Sequence, residues 1–145
     1  MRWMVLAGLA VLLAGMARAD AAADVVTMAN RLRAQNGLPA LAVSPALAAT
    51  AQGHAQDMAA GGYFSHSGRD GSSVGRRATR QGYRFCLIAE NIAKGQKSAA
   101  EVMQTWAASP GHRKNMLMPK LREIGVARAA GDLWVMVLGT RRGGC

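Results

Sequence analysis

Glu123-Ile-Gly-Val-Ala-Arg-Ala-Ala-Gly-Asp-Leu-Trp-Val-Met-Val-Leu138 decides the fold class, because here the hydrophobic period of the chain changes. Upstream, apolar residues recur every three or four positions. Here Ile124–Ala127 and Leu133–Leu138 read as two strands, and Ala130-Gly131-Asp132 reads as the tight turn between them. The second run is almost continuously apolar, as expected of a central strand covered on both faces. Helices first and a β-hairpin last predict an α+β fold in which helices cover a small sheet.

Working back from the hairpin, each predicted helix carries its own start signal. Ser109-Pro-Gly-His112 opens one, with serine at the cap and proline at the first helical position. Ser98 opens another, over residues 99–108, with Val102, Met103 and Trp106 facing inward. The segment 83–93 is mixed: Phe85, Leu87 and Ile88 read as buried, Glu90 interrupts them, and a strand is the candidate. Ser72-Ser73 opens a short basic helix ending near Gly82. Ser44-Pro45 starts a longer one, on which Leu47, Ala51, His54 and Met58 share a face until Gly61-Gly62 stops it. The first mature helix spans about residues 21–35 and ends at Gly37.

The chain of 145 residues is one domain's worth, half of it apolar, with a formal net charge of +10. Met1-Arg2, the apolar run from Trp3 to Ala17 and the Ala17-Arg18-Ala19 site read as a secretory leader over residues 1–19. No cysteine follows that site, so the leader does not read as that of a lipoprotein. Its removal takes Arg2 and Arg18 with it and leaves a basic domain, residues 20–145, with no membrane-spanning segment. Such a charge favours polyanions of the cell envelope without marking a specific nucleic-acid reader. Arg76, Arg77, Arg80 and Arg84 read first as a solvated basic face and second as a polyanion-binding stripe. Export permits a disulfide between Cys86 and Cys145, which would tie down the Gly-rich tail; a free or intermolecularly paired Cys145 is the competing reading.

The candidate chemistry rests on three histidines and one acid. His112, in the first turn of its helix, lies beside orphan amides and the positive end of the dipole, which disfavours imidazolium and leaves a ligand, acceptor or base. Glu90 sits among apolar neighbours, and a buried carboxylate needs a partner: a histidine, an arginine or backbone amides. His66 lies in a serine- and glycine-flanked loop, and His54 reads as a core residue. His66, Glu90 and His112 are adequate chemistry for zinc, yet their wide spacing gives no local ligand motif. No G-x-S-x-G elbow or phosphate-cradling glycine loop is present.

Six motifs occur in order: Ala34-Gln-Asn-Gly-Leu-Pro39, His54-Ala-Gln-Asp-Met-Ala59, Tyr63-Phe-Ser-His66, Ala89-Glu-Asn-Ile-Ala93, Trp106-Ala-Ala-Ser-Pro-Gly-His-Arg-Lys-Asn-Met-Leu117 and Glu123-Ile-Gly-Val126. Together they make the chain resemble the bacterial branch of the CAP superfamily (cysteine-rich secretory proteins, antigens and pathogenesis-related proteins, also called SCP-like). The resemblance implies a three-layer α-β-α sandwich, a secreted or periplasmic location and a histidine–glutamate cavity that binds zinc in some relatives. It places His66 and Glu90 in that cavity, with Asn91 at its periphery. Ser109 stands where the family has a second glutamate. Asp132 is the nearest position to the family's last-strand histidine, so His112 is expected to supply the second imidazole. The expected function is a non-enzymatic binding module for a small ligand, peptide, lipid or metal ion. The alternatives are a Glu/His-dependent or metal-assisted hydrolase acting on peptide or cell wall, and a basic surface-adhesion protein.

Overall fold

The computed structural model describes residues 2–145, with side chains from residue 8 onward. Its elements follow the order α1 (Arg2–Gln35), β1 (Ala42–Val43), α2 (Pro45–Gly61), α3 (Val74–Arg80), β2 (Phe85–Lys94), α4 (Ala99–Ala108), α5 (Pro110–Met116), β3 (Glu123–Ala129) and β4 (Leu133–Arg141). The strands lie in the order β1-β3-β4-β2, with β1 parallel to β3 and the other pairs antiparallel. The expected hairpin is β3–β4, turned by Gly131 and Asp132 at φ 80° and 54°. β1 has no counterpart in the sequence reading, since two exposed residues leave no periodic pattern.

Two cores sandwich the sheet. Trp134, Met136 and Leu138 of β4 face a layer made by α1, α4 and α5, with Val25, Ala29, Val102, Trp106 and Met116. Leu133, Val135 and Val137 alternate to the other face and meet Leu47, Ala51, Ala55 and Met58 of α2 and Ala78 of α3. β4 is therefore buried on both sides, as its unbroken apolar run predicts. Each fully buried large apolar side chain contributes about 1.5–3 kcal/mol relative to exposure.

The caps behave as the sequence predicts at three helices and differently at a fourth. The hydroxyls of Ser44, Ser73 and Ser98 accept from the amides of Leu47, Arg76 and Glu101. Ser109 occupies the cap position of α5, but its side chain makes no capping bond. It also closes α4, so its backbone serves two helices at once.

α1 runs as one helix through the Ala19–Asp20 junction, and its packing against the sheet starts at Ala21. Leu9, Val11, Leu12, Leu13 and Met16 are exposed. Met1, where the expected leader begins, lies outside the described residues. Among the described residues no helix is long and apolar enough to cross a membrane.

α2 crosses β3 so closely that a methyl group on Gly125 would overlap the backbone of Leu47 and Ala48. Backbone cannot rotate aside as a side chain can. Gly125→Ala is therefore expected to lower stability by about 3 kcal/mol, the upper part of the range for overpacked cores. Urea unfolding measures this, and an unchanged midpoint would contradict the contact.

Cys86 and Cys145 form a disulfide, with Cα atoms 6.2 Å apart. The free-thiol reading of Cys145 is thereby replaced by an intramolecular bridge that fixes the C-terminal tail to β2.

Candidate functional site

The site lies along β2, the edge strand, where its two faces serve different purposes. Over residues 87–93, even-numbered positions turn toward the α2–α3 layer and odd-numbered ones toward α4 and α5. Glu90 and Asn91 are neighbours in sequence but reach opposite sides of the sheet, and each is held by a different partner set.

Glu90 is buried, its side chain 2% exposed. His66 Nδ1 lies 2.7 Å from Oε1, and Arg77 Nη2 donates to Oε2 over 2.8 Å. The acid needs a partner, and the fold supplies two. Arg77, expected on a solvated basic face, is buried instead and also donates to the Ser72 carbonyl at 2.6 Å. The reason is helical phase. On α3, residues 77 and 78 share the inner face, with Ala78 in the core, while Arg76 and Thr79 are exposed. Arg80 is exposed and paired with Asp70, so the four-arginine stripe does not exist as one surface.

His66 rides on the loop between α2 and α3, and that loop is pinned at several points. His54 Nε2 donates to the carbonyl of the preceding residue, Ser65, at 2.7 Å. Gly68 and Ser72 close a turn, and the Arg69 amide donates to Asp57. His54 is buried as a core residue should be, but its position also sets where His66 emerges. With Nδ1 donating to a carboxylate, the His66 ring presents Nε2 outward, and the side chain is 60% exposed.

On the other side of the strand, Asn91 Nδ2 donates to the His112 carbonyl at 3.1 Å. Asn115 Nδ2 donates to Asn91 Oδ1 at 2.9 Å and reaches the Glu90 carbonyl at 3.4 Å. Trp106 Nε1 donates to the Ile92 carbonyl. These bonds lock α4 and α5 onto the exposed edge of β2, a position that otherwise invites pairing with another chain. Buried Arg33 of α1 completes the seat of α5 by donating to the carbonyls of Met116 and Met118.

His66, Glu90 and His112 thus line one open cleft of about 580 Å3, together with Ser109, Leu87 and Met118. His112 makes no direct bond to Glu90. Its imidazole is held below the usual 6.5, chiefly by burial and secondly by the charge that His66 can carry. The helix dipole predicts the same direction, but burial is the larger cause. His54 is also lowered from 6.5, again mainly by burial. Asp132 departs from the expected cavity. It sits in the β3–β4 turn, paired with Lys97 at 2.5 Å and Arg128 at 2.6 Å, because the turn needs a short residue that tolerates positive φ.

Both lowered imidazoles make stability depend on pH with a definite sign. The unfolded chain binds more protons than the folded one between the depressed value and 6.5. The stabilisation is therefore complete above the ordinary value and is lost as pH falls through that window. Melting temperature should decline from about pH 7.5 to about pH 5. His54→Phe should flatten the decline, and a profile already flat in the wild type would contradict the burial of both rings.

The donor set does not fit a zinc ion. Both carboxylate oxygens of Glu90 are engaged, one by a guanidinium, and His112 Nδ1 is buried. Among the described residues no three His, Cys, Asp or Glu side chains converge closely enough to hold a metal, where zinc takes three or four protein ligands. The carboxylate instead orients a histidine.

Arg77 and Asn115 are the site residues that sequence reasoning missed. The demand of Glu90 for a partner was legible, but a histidine, an arginine or backbone amides could have met it. Asn115 lies inside a motif without any feature marking it as a brace.

Comparison with known proteins agrees with this architecture. The model of the cysteine-rich secretory protein family, CAP, matches residues 26–138. The YkwD protein of Bacillus subtilis is 37% identical over 111 residues, 76% of this chain and 43% of that protein. An extracellular protein from Bacillus anthracis containing an SCP domain superposes with a TM-score of 0.82 at 29% identity, over 86% of this chain and 41% of that one. An outer surface protein from Borrelia burgdorferi gives a TM-score of 0.76 at 22% identity, over 81% of this chain and 90% of that one, and shows the fold alone. The chain spans less than half the length of the two Bacillus proteins.

Proposed function

The chain belongs to the cysteine-rich secretory protein (CAP) family, and from that premise we propose that it is an exported binding module. Its cleft at the β2 edge captures a small ligand or peptide end through the imidazoles of His66 and His112. The observation that carries this reading is the double commitment of Glu90. A carboxylate bonded on both oxygens and 2% exposed aims a histidine and is closed to an attacking water. The cleft offers the outward Nε2 of His66, a second imidazole held below the usual 6.5 chiefly by burial, and apolar contacts from Leu87 and Met118. That combination recognises hydroxyl, ammonium or peptide N–H donors on a partly apolar ligand.

A secreted or periplasmic location goes with this role. Residues 1–19 carry the features of a leader, and the similar Bacillus anthracis protein is an extracellular one. Native mass spectrometry of protein purified from its own host provides the test. The wild type is expected to carry a bound small molecule that His66→Ala, His112→Ala protein lacks. The same adduct on both would place binding elsewhere.

A hydrolase reading draws on one observation, the Glu90–His66 pair, because a carboxylate behind an imidazole also equips a general base. It predicts peptide or cell-wall turnover that falls at least about 100-fold in His66→Ala. Equal activity in the variant would remove it.

A further inference from the structure

The sheet has a second edge, opposite the one that carries the cleft. β1 pairs with β3 only at Glu123 and Ile124, so residues 125–129 pair with β4 on one side and with no strand on the other. The Ser44 amide donates to the Ile124 carbonyl on that open side. Backbone groups alternate in direction along a strand, so the N–H and C=O of Val126 and Arg128 point the same way. Beyond the ladder to β4, no hydrogen bond reaches the main chain of residues 125–129 among the described residues. Such a row of unpaired groups is a template for another strand.

A groove of about 790 Å3 follows this edge. It is lined by Val126, Ala127 and Arg128 in succession, although Val126 belongs to the α1-side core and Ala127 to the α2-side core. A cavity that meets three consecutive strand residues, whose side chains alternate between faces, meets the strand at its edge. Ala22, Ala23 and Val26 of α1 line one side and Ala48 and Gln52 of α2 the other, leaving room for a backbone with small side chains.

The occupant follows from these walls. A second copy's β3 is recessed between the same two helices, so two such edges cannot meet, whereas a single free strand can enter. Charge contributes little: Arg128 is already paired with Asp132, and Arg18, the other charged residue lining the groove, lies in the expected leader. Exposed Val43, the last residue of β1, adds an apolar contact where the new strand would continue the line of β1.

We propose that residues 125–129 form a docking site for an extended, uncharged peptide segment of another protein. The segment adds to the sheet beyond β1, takes its main-chain bonds from Val126 and Arg128, and sets alternate small apolar side chains against α1 and α2. Five residues of strand, about 16 Å, match the open stretch. The site is independent of the ligand in the His66–His112 cleft.

Amide hydrogen exchange of the 15N-labelled full chain, read residue by residue by NMR, tests this with the pentapeptide acetyl-Thr-Val-Thr-Val-Thr-amide. In the free protein Val126 and Arg128 should exchange faster than Gly125 and Ala127, whose amides already face β4. The peptide should slow Val126 and Arg128 at least about tenfold, saturably, with a dissociation constant on the order of 1 mM. The same peptide N-methylated at every amide should have no effect, because it cannot donate. Ala23→Trp, at an exposed position on the α1 wall, should weaken binding at least about tenfold while Ala127 stays protected, which reports an intact sheet. Four equally protected amides in the free protein would show that the edge is not open. That result overturns the proposal, as do equal binding of the N-methylated peptide and slowing that depends on protein concentration without peptide.

Discussion

Glu90→Ala is expected to lower the stability of the folded chain by about 3–5 kcal/mol, the cost of leaving one member of a buried pair behind. Arg77 is the member left: its side chain is only 10% exposed and loses the carboxylate it is paired with. The attribution is testable because a second substitution should relieve it. Glu90→Ala with Arg77→Met removes the orphaned charge. The double variant should therefore be more stable than Glu90→Ala alone. Denaturant unfolding of wild type, both single variants and the double completes the cycle. Additive losses would mean that the two residues do not depend on each other.

The disulfide gives the other large effect. Replacing Cys86 and Cys145 by serine should cost about 4 kcal/mol in the chain-entropy model, given the 59-residue separation. For a domain of this size the melting temperature falls on the order of 10 °C. The loss acts through the unfolded chain, which regains the freedom of a long loop, and through the tail. Gly143 and Gly144 are exposed, and apart from the bridge the tail beyond Arg141 is held by backbone bonds from Arg142 to Arg84 and from Gly144 to Arg141. Thermal unfolding of the oxidised protein against the serine pair measures the effect. Melting temperatures within about 2 °C of each other would show that the bridge does not constrain the unfolded state.

The fold was legible because its signals are local. Ser44-Pro45, Ser73 and Ser98 each mark a helix start within a few residues, and the unbroken apolar run of β4 announces a strand with two covered faces. A strand of two residues, as in β1, leaves no such trace. At the site, the motif series brought His66, Glu90 and His112 together, and the buried acid's need for a partner followed from desolvation. What remained hidden was anything decided by the phase of a short helix or by the path of a loop. Arg77 turns inward beside Arg76, and seven residues are too few to show which face of a helix is apolar. The resemblance makes Asp132 the nearest position to a last-strand histidine, whereas turn geometry and two cations hold it at the hairpin tip.

Ring-nitrogen NMR of the 15N-labelled protein reads the arrangement at Glu90 without relying on any ligand. In its neutral form the His66 ring should carry its proton on Nδ1 and leave Nε2 bare, a tautomer that Glu90→Gln should perturb while His112 keeps its signals. A His66 ring protonated at Nε2 with Nδ1 bare, and indifferent to the change at Glu90, would show that the acid does not aim this histidine into the cleft.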